Sequence, residues 1–305
     1  MNREELKKNF EQRFTDTAKI RGYFKASELQ KILHYPPQIT FFKFLSKISP
    51  SVNKKTIVSQ KLFSGRDFLT EGYYLDYFTC GYISEDNEVR MTRYLFNHLP
   101  DSGTFFDVGT HYGFYSLLVK DISPKITIHC FEPSPSTFKI LSENIKGTDI
   151  LLNQFALSSA LGENKFAIFK DHGLAGSNSL YVEEAKQIVH TDAYDQIVVQ
   201  TKTLDSYCAE SGAQPSILKI DVEGAEEDVI AGGLKMISQY HPEIIMELWP
   251  VGHNDRHMKA FTSLENLGYE FFRITDSGEL SSIDLSQMQN LPEIDNIVCR
   301  HSSIK

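Results

Sequence analysis

Nowhere in the 305 residues does an apolar run approach the roughly 20 needed to cross a bilayer as a helix. The chain opens on Met1-Asn2-Arg3-Glu4-Glu5-Leu6-Lys7-Lys8, charged and followed by no apolar stretch, so no secretory leader is expected and the cytoplasm is the expected compartment. Cysteine is scarce. Cys80, Cys130, Cys208 and Cys299 form no C-x-x-C pair, which excludes a zinc knuckle or dithiol motif and leaves reduced thiols as the expectation, with Cys130 and Cys299 buried in apolar runs. No internal repeat or low-complexity segment is present, and 41% hydrophobic content excludes a disordered chain. Positive charge is missing from most of the molecule. Residues 1 to 60 carry twelve Lys/Arg against five Asp/Glu, whereas the rest carries 19 against 35, so the main domain should not seek nucleic acid.

The usual phosphate-cradling loops are missing too. In Asp107-Val108-Gly109-Thr110-His111-Tyr112-Gly113-Phe114-Tyr115-Ser116 no Lys follows the second glycine, and the third glycine of a dinucleotide loop is absent. What stands there is a short apolar strand, Phe105 to Val108, with Asp107 near its carboxyl end, a glycine turn and a helix start. Open α/β sheets bind ligands at such corners. A carboxylate before the turn and no Lys or Arg inside it favour a ligand presenting a cationic or hydroxyl-bearing group, as methionine-derived cofactors do.

Along the chain, residues 1 to about 34 read as helical, with Leu6, Phe10, Phe14, Leu29, Ile32 and Leu33 at helical spacing before Pro36-Pro37. Residues 39 to 55 mix aromatics with lysines. Such a stretch can contact a membrane peripherally or pack on the neighbouring domain. A boundary near residue 60 separates this basic extension from a main domain over residues 61–305. There, Asp86 to Leu99 reads as an amphipathic helix, Lys125 to Phe131 as a second strand ending at Glu132-Pro133, Ser136 to Ile145 as a helix, and Ile150 to Phe155 as a third strand. The alternation predicts a parallel, doubly wound sheet. Glu132 falls 25 residues after Asp107, where an acid that hydrogen-bonds a ribose is expected.

An insertion spans about 162–202, with short strands at Phe166 to Phe169 and Ile197 to Val199 around the polar loop His172 to Ser179; it reads equally as a lid or as a surface hairpin. Beyond it, Ile217-Leu218-Lys219-Ile220-Asp221-Val222-Glu223-Gly224-Ala225-Glu226 runs from a strand into a helix that continues through Val229, Ile230, Leu234 and Ile237. Lys219 and Asp221 share one side at period two, and a charged pair at a central strand's carboxyl end is costly unless used. Glu226, at the helix start, suits the helix dipole. Ile244 to Trp249 is another strand, closed by the carboxylate of Glu247. Met258 to Leu267 reads as a helix, and Tyr269 to Ile274 and Ile297 to Arg300 as strands.

These residues together resemble the FkbM family of S-adenosylmethionine-dependent methyltransferases over roughly residues 72 to 300. The carriers are the Asp107–Ser116 stretch, Phe131-Glu132-Pro133, Asn153 to Ser158, Thr203-Leu204-Asp205, Lys219 to Glu226 and Pro242 to Glu247, with Thr110-His111 where the family often shows Ala-Asn or Ala-His. The resemblance implies a Rossmann-like class I methyltransferase fold with a mostly parallel seven-stranded sheet, helices on both faces and, in this chain, a helical N-terminal extension. It also implies methyl transfer to a hydroxyl of a sugar, glycan or natural product. By the same resemblance S-adenosylmethionine would be held by Asp107 (its amino group), Gly109, Thr110, His111, Tyr112, Gly113 and Tyr115 (the methionine end), Glu132 and Pro133 (the ribose), Phe155 and Ala156 (the adenine), and Asp221. Asp221 and Glu223 are the first candidates for base or acceptor contact, with Lys219 tuning their charge, and Glu247 and His253 the second. Asp221 with Glu247 could supply oxygen ligands to a divalent ion. The rival readings are a nicotinamide-dependent oxidoreductase, weakened by the missing third glycine, and a non-catalytic interaction module. Amino-group methylation of nucleic acid is disfavoured, since no N/D-P-P-Y/F signature is present.

Overall fold

Short apolar strands alternating with amphipathic helices bury their faces in a layered α/β unit. That arrangement is present in the computed structural model, which describes residues 1–21, 56–72, 86–169, 178–181, 194–249, 251–252 and 255–303. The chain divides into two compact units, Met1–Val89 and Arg90–Lys305. Within the first lie helix α1 (Arg3–Arg21) and a hairpin of β1 (Ile57–Lys61) and β2 (Asp67–Glu71). Leu6 and Phe10, four residues apart on one helical face, are buried, and the Phe10 ring meets Phe63 edge-on at 5.4 Å. The aromatic and lysine stretch at 39–55, the helical reading at Leu29 to Leu33 and Cys80 fall outside the described residues. Among the described residues no helix is long and apolar enough to cross a membrane.

Helix α2 (Asp86–His98) runs across the division and leads into the second unit. There the chain builds β3 (Ser102–Val108), α3 (Phe114–Ile122), β4 (Lys125–Phe131), α4 (Pro135–Asn144), β5 (Leu151–Asn153), β6 (Ala156–Leu157), β7 (Gly162–Phe169) and β8 (Tyr194–Lys202). Then come α5 (Leu204–Ser211), β9 (Ile217–Ile220), α6 (Glu226–Ala231), α7 (Leu234–Tyr240), β10 (Glu243–Leu248), α8 (Asp255–Asn266), β11 (Tyr269–Ile274), β12 (Leu280–Ile283), α9 (Leu285–Met288) and β13 (Asp295–His301).

One sheet has the order β12-β11-β13-β10-β9-β3-β4-β5. The five strands from β10 to β5 are parallel, and β13 and β12 run against their neighbours. Successive strands leave β3 first towards β4 and β5 and then, from β9, in the opposite direction. The carboxyl ends of β3 and β9 therefore flank the topological switch point, where such sheets open a crevice. Strand register sets Asp107 opposite Lys219 and Val108 opposite both Ile220 and Phe131. The sheet is the expected Rossmann-like one with one strand more than the seven expected. β12, read from Leu280-Ser281-Ser282-Ile283, is too short and polar to announce itself, and it pairs as a hairpin with β11.

Two further differences follow from packing. The stretch read as one strand from Ile150 to Phe155 gives only β5 to the main sheet, while β6 joins β8 and β7 in a separate three-stranded sheet formed by the insertion. The helix expected from Ala225 through Ile237 is broken at Gly232-Gly233 into α6 and α7. At Gly232 an added Cβ would lie 2.1 Å from the Ser158 carbonyl oxygen, so the break admits the backbone just after β6. Asp205 then accepts the Met236 N–H at 2.8 Å and caps the second piece, while Thr203 caps α5 in a reciprocal pair with Ser206.

Candidate active site

The floor of the site is built where β3 ends. Gly109 has φ 82°, and a Cβ added there would sit 1.8 Å from the carbonyl oxygen of Asp221, so glycine alone lets the turns after β3 and β9 touch. The N–H groups of Gly109 and Thr110 both donate to the Phe131 carbonyl, at 3.0 and 3.1 Å. The Thr110 hydroxyl donates to the Asp107 carbonyl at 2.6 Å and accepts the Phe131 N–H at 3.0 Å. Gly113, at φ 90°, starts α3 where a side chain would strike Leu141.

His111 sits at φ 53°, a left-handed position that few non-glycine residues take. That twist aims its N–H at Glu132, whose Oε2 accepts it at 3.1 Å, while Oε1 accepts the Ser134 N–H at 2.9 Å. Glu132 is buried. Burial pushes its carboxyl from the usual 4.5 up to about 8, against the two backbone donors that pull it down. Burial also lowers the His111 imidazole to about 3, so the ring is neutral.

Beside this, Lys219 is 3% exposed; its Nζ donates to Asp221 Oδ2 at 2.9 Å, lies 4.0 Å from Asp107 Oδ1 and stands 5.0 Å from the centre of the Tyr115 ring. Asp107 is also buried and accepts the Ser116 hydroxyl at 2.6 Å; burial raises its carboxyl and the Lys219 ammonium opposes that rise. The lysine thus ties the half-exposed Asp221 to a buried charge. Asp221, Glu223 and Glu247 each bring one carboxylate oxygen within 4.8 Å of the others, and the Trp249 indole donates to Glu247 Oε2 at 2.9 Å. Among the described residues this is the cluster that could hold a cation, and the same three oxygens could equally accept hydroxyl donors.

A cavity of about 540 Å³, counted to its open mouth, lies over these strand ends. Of the residues assigned to the site from the sequence, Gly109, His111, Glu132, Pro133, Phe155, Ala156, Asp221 and Glu223 line it. Asp107, Thr110, Tyr112, Gly113, Tyr115, Lys219 and Glu247 do not line it, and the first five of these are buried around the β3 turn. His253 falls outside the described residues. Sequence reasoning missed the apolar walls Phe131, Leu157, Phe166 and Leu180, together with Asn178, Val222 and Ala225. Phe166 and Leu180 come from the insertion, whose sequence was read only as a lid or a surface hairpin.

Against known proteins, the Methyltransferase FkbM domain matches residues 107–271, more than half of the chain. The 2-O-methyltransferase NoeI of Sinorhizobium fredii is 30% identical over 148 residues, covering 46% of this chain and 60% of that protein. Methyltransferase sdnD of Sordaria araneosa is 27% identical over 207 residues, or 58% and 77% of the two chains. The hexuronic acid methyltransferase AglP of Haloferax volcanii is 30% identical over 151 residues, or 48% and 56%. The chain thus spans a little over half the length of NoeI and AglP. The matched residues open at Asp107 and take in the strand ends carrying Glu132, Asp221 and Glu247, so the cavity is built from family sequence, and the chain belongs to the FkbM methyltransferase family.

Proposed function

We propose that the cavity binds S-adenosylmethionine and that the protein transfers its methyl group to a hydroxyl of a sugar, glycan or natural product. Glu132 carries this reading. Each of its oxygens accepts one backbone N–H and keeps further acceptor capacity beside the cavity, which suits two neighbouring ribose hydroxyls. The walls fit the rest of the nucleoside. Phe131, Phe155, Leu157 and Phe166 give an apolar slot for a flat base, as small-molecule sites with a few convergent polar groups do. The bare backbone at Gly109 admits the methionine end, with Asp107 and Lys219 as the fixed charges near it.

When bound, the cofactor supplies an activated methyl group, so the protein has to align an acceptor oxygen and take its proton. Asp221 and Glu223 line the cavity and are assigned that work, with Glu247 beside them; the Lys219 hydrogen bond orients Asp221. Three carboxylates at hydroxyl-binding distance from one another support a polyhydroxyl acceptor. So do the names of two similar proteins, a 2-O-methyltransferase and a hexuronic acid methyltransferase.

Calorimetry with S-adenosylmethionine and with NAD, followed by a screen of nucleotide sugars and cell glycans for label from methyl-tritiated cofactor, tests this reading. The expected result is binding of the methyl donor alone and label in a hydroxyl. Asp221→Asn is expected to keep cofactor affinity within about three-fold and to lose about 100-fold in turnover, the usual scale of a general base. Tight NAD binding, or full turnover in that variant, would refute the respective assignments.

A further inference from the structure

Residues Asn178 to Tyr181 alternate in direction as an extended segment does. Asn178 and Leu180 line the cavity, while Ser179 and Tyr181 bond elsewhere. Ser179 is fully buried. Its backbone exchanges two hydrogen bonds with Ala167 of β7, and its hydroxyl donates to the Glu223 carbonyl at 2.6 Å while accepting the Tyr181 N–H at 2.9 Å. From α8, Arg256 donates through Nε to the Gly224 carbonyl at 2.9 Å, pairs with Asp228 at 2.8 Å and stacks 3.6 Å over the Tyr181 ring. The Tyr181 hydroxyl donates to the same Asp228. On the third side, Glu226 accepts the Val222 N–H at 3.0 Å, with the buried His257 ring 3.2 Å behind it.

Three successive residues, Val222, Glu223 and Gly224, are therefore each held at the backbone by a side chain from a different element. The grip has something to oppose, since Glu223 sits at φ 56°, a strained conformation for a residue with a side chain that persists only when its surroundings over-determine it. We infer that Ser179 and Arg256 are positioning residues for methyl transfer, holding the turn 222–224 so that the Asp221 and Glu223 carboxylates face the acceptor. The inference rests on the reading of this turn as the acceptor side. It gives the insertion a second duty: one edge of a four-residue segment lines the cavity while the other fixes the groups beside it.

Ser179→Ala removes one buried oxygen, and Arg256→Lys keeps the charge but loses the fixed Nε–H. In the ligand-free protein, hydrogen exchange at residues 222–226 is expected to quicken roughly 3–10-fold in either variant, the scale of one hydrogen bond, with β9 unchanged. With tritiated S-adenosylmethionine and the glycan that accepts label, turnover is expected to fall about 10-fold or more while cofactor affinity stays within about three-fold, as for misplaced groups. Unchanged exchange at the turn overturns the inference, and so does a cofactor affinity that falls in step with turnover. A wild-type protein that binds no S-adenosylmethionine overturns the methyl-donor reading instead, and the exchange measurement still decides whether Ser179 and Arg256 hold the turn.

Discussion

Glu132 joins three facts in one side chain: it directly follows β4, it is buried, and both its oxygens are already held by backbone N–H groups. In the ligand-free protein burial keeps its carboxyl near 8, whereas two donating hydroxyls favour the ionised form. Cofactor binding should therefore release a proton below that pH, and affinity should weaken by up to about ten-fold per unit as pH falls from 8 towards 6. Calorimetry across that range checks it; a flat profile would remove Glu132 from the ribose assignment. Glu132→Ala is expected to cost about 100-fold in affinity, the worth of two hydrogen bonds to a charged group. This residue was legible in the sequence because an acid closing an apolar strand is conspicuous. The same holds for Asp221 and Glu247. Ser179 and Arg256 were not legible, because their value comes from the Glu223 and Gly224 carbonyls, 44 and 32 residues away, and no local pattern encodes such contacts.

Among the elements, the turn after β3 is the most constrained. Gly109→Ala would push a methyl group into the Asp221 carbonyl and strain a positive φ, with an expected loss of about 3 kcal/mol or more in stability. Gly147→Ala shares the positive φ of 81° but meets nothing within 4 Å, so its cost should stay at about 1–2 kcal/mol. Denaturant titration of the two variants separates close approach from backbone strain. The parallel strands of the main sheet could be read from apolar runs because buried parallel strands leave that signature, whereas the short polar β12 could not. The broken helix could not. Leu234 and Ile237 keep helical spacing with Val229 and Ile230, and only the approach of Ser158 to Gly232 shows why two glycines interrupt the pattern.

For the whole molecule the buried groups set opposing pH dependences. Burial lowers His111, His129 and His257, so below about 6.5 the unfolded chain binds protons that the folded one does not, and stability falls with acid. Glu132 has the opposite sign. Its folded value lies above the unfolded one, so its contribution is complete below about 4.5 and is lost as pH rises through about 8. Above about 7.5 the unfolded histidines, whose ordinary value is near 6.5, have lost nearly all their protons. There the melting temperature of the ligand-free protein is expected to drift down with pH, and in Glu132→Ala that drift should flatten. Cofactor at a fixed concentration, about 100 times its dissociation constant at pH 7, should add about 2.7 kcal/mol of stability to the wild type at that pH and more at the alkaline end, where it binds more tightly.

The chain has a single tryptophan, Trp249, buried just past β10 with its indole bonded to Glu247 in the carboxylate cluster. Tryptophan emission from this protein therefore originates at one address, beside the cluster rather than the proposed nucleoside slot. It offers a label-free optical signal for stopped-flow mixing, in which a change on adding a sugar can be timed separately from any change on adding the proposed methyl donor.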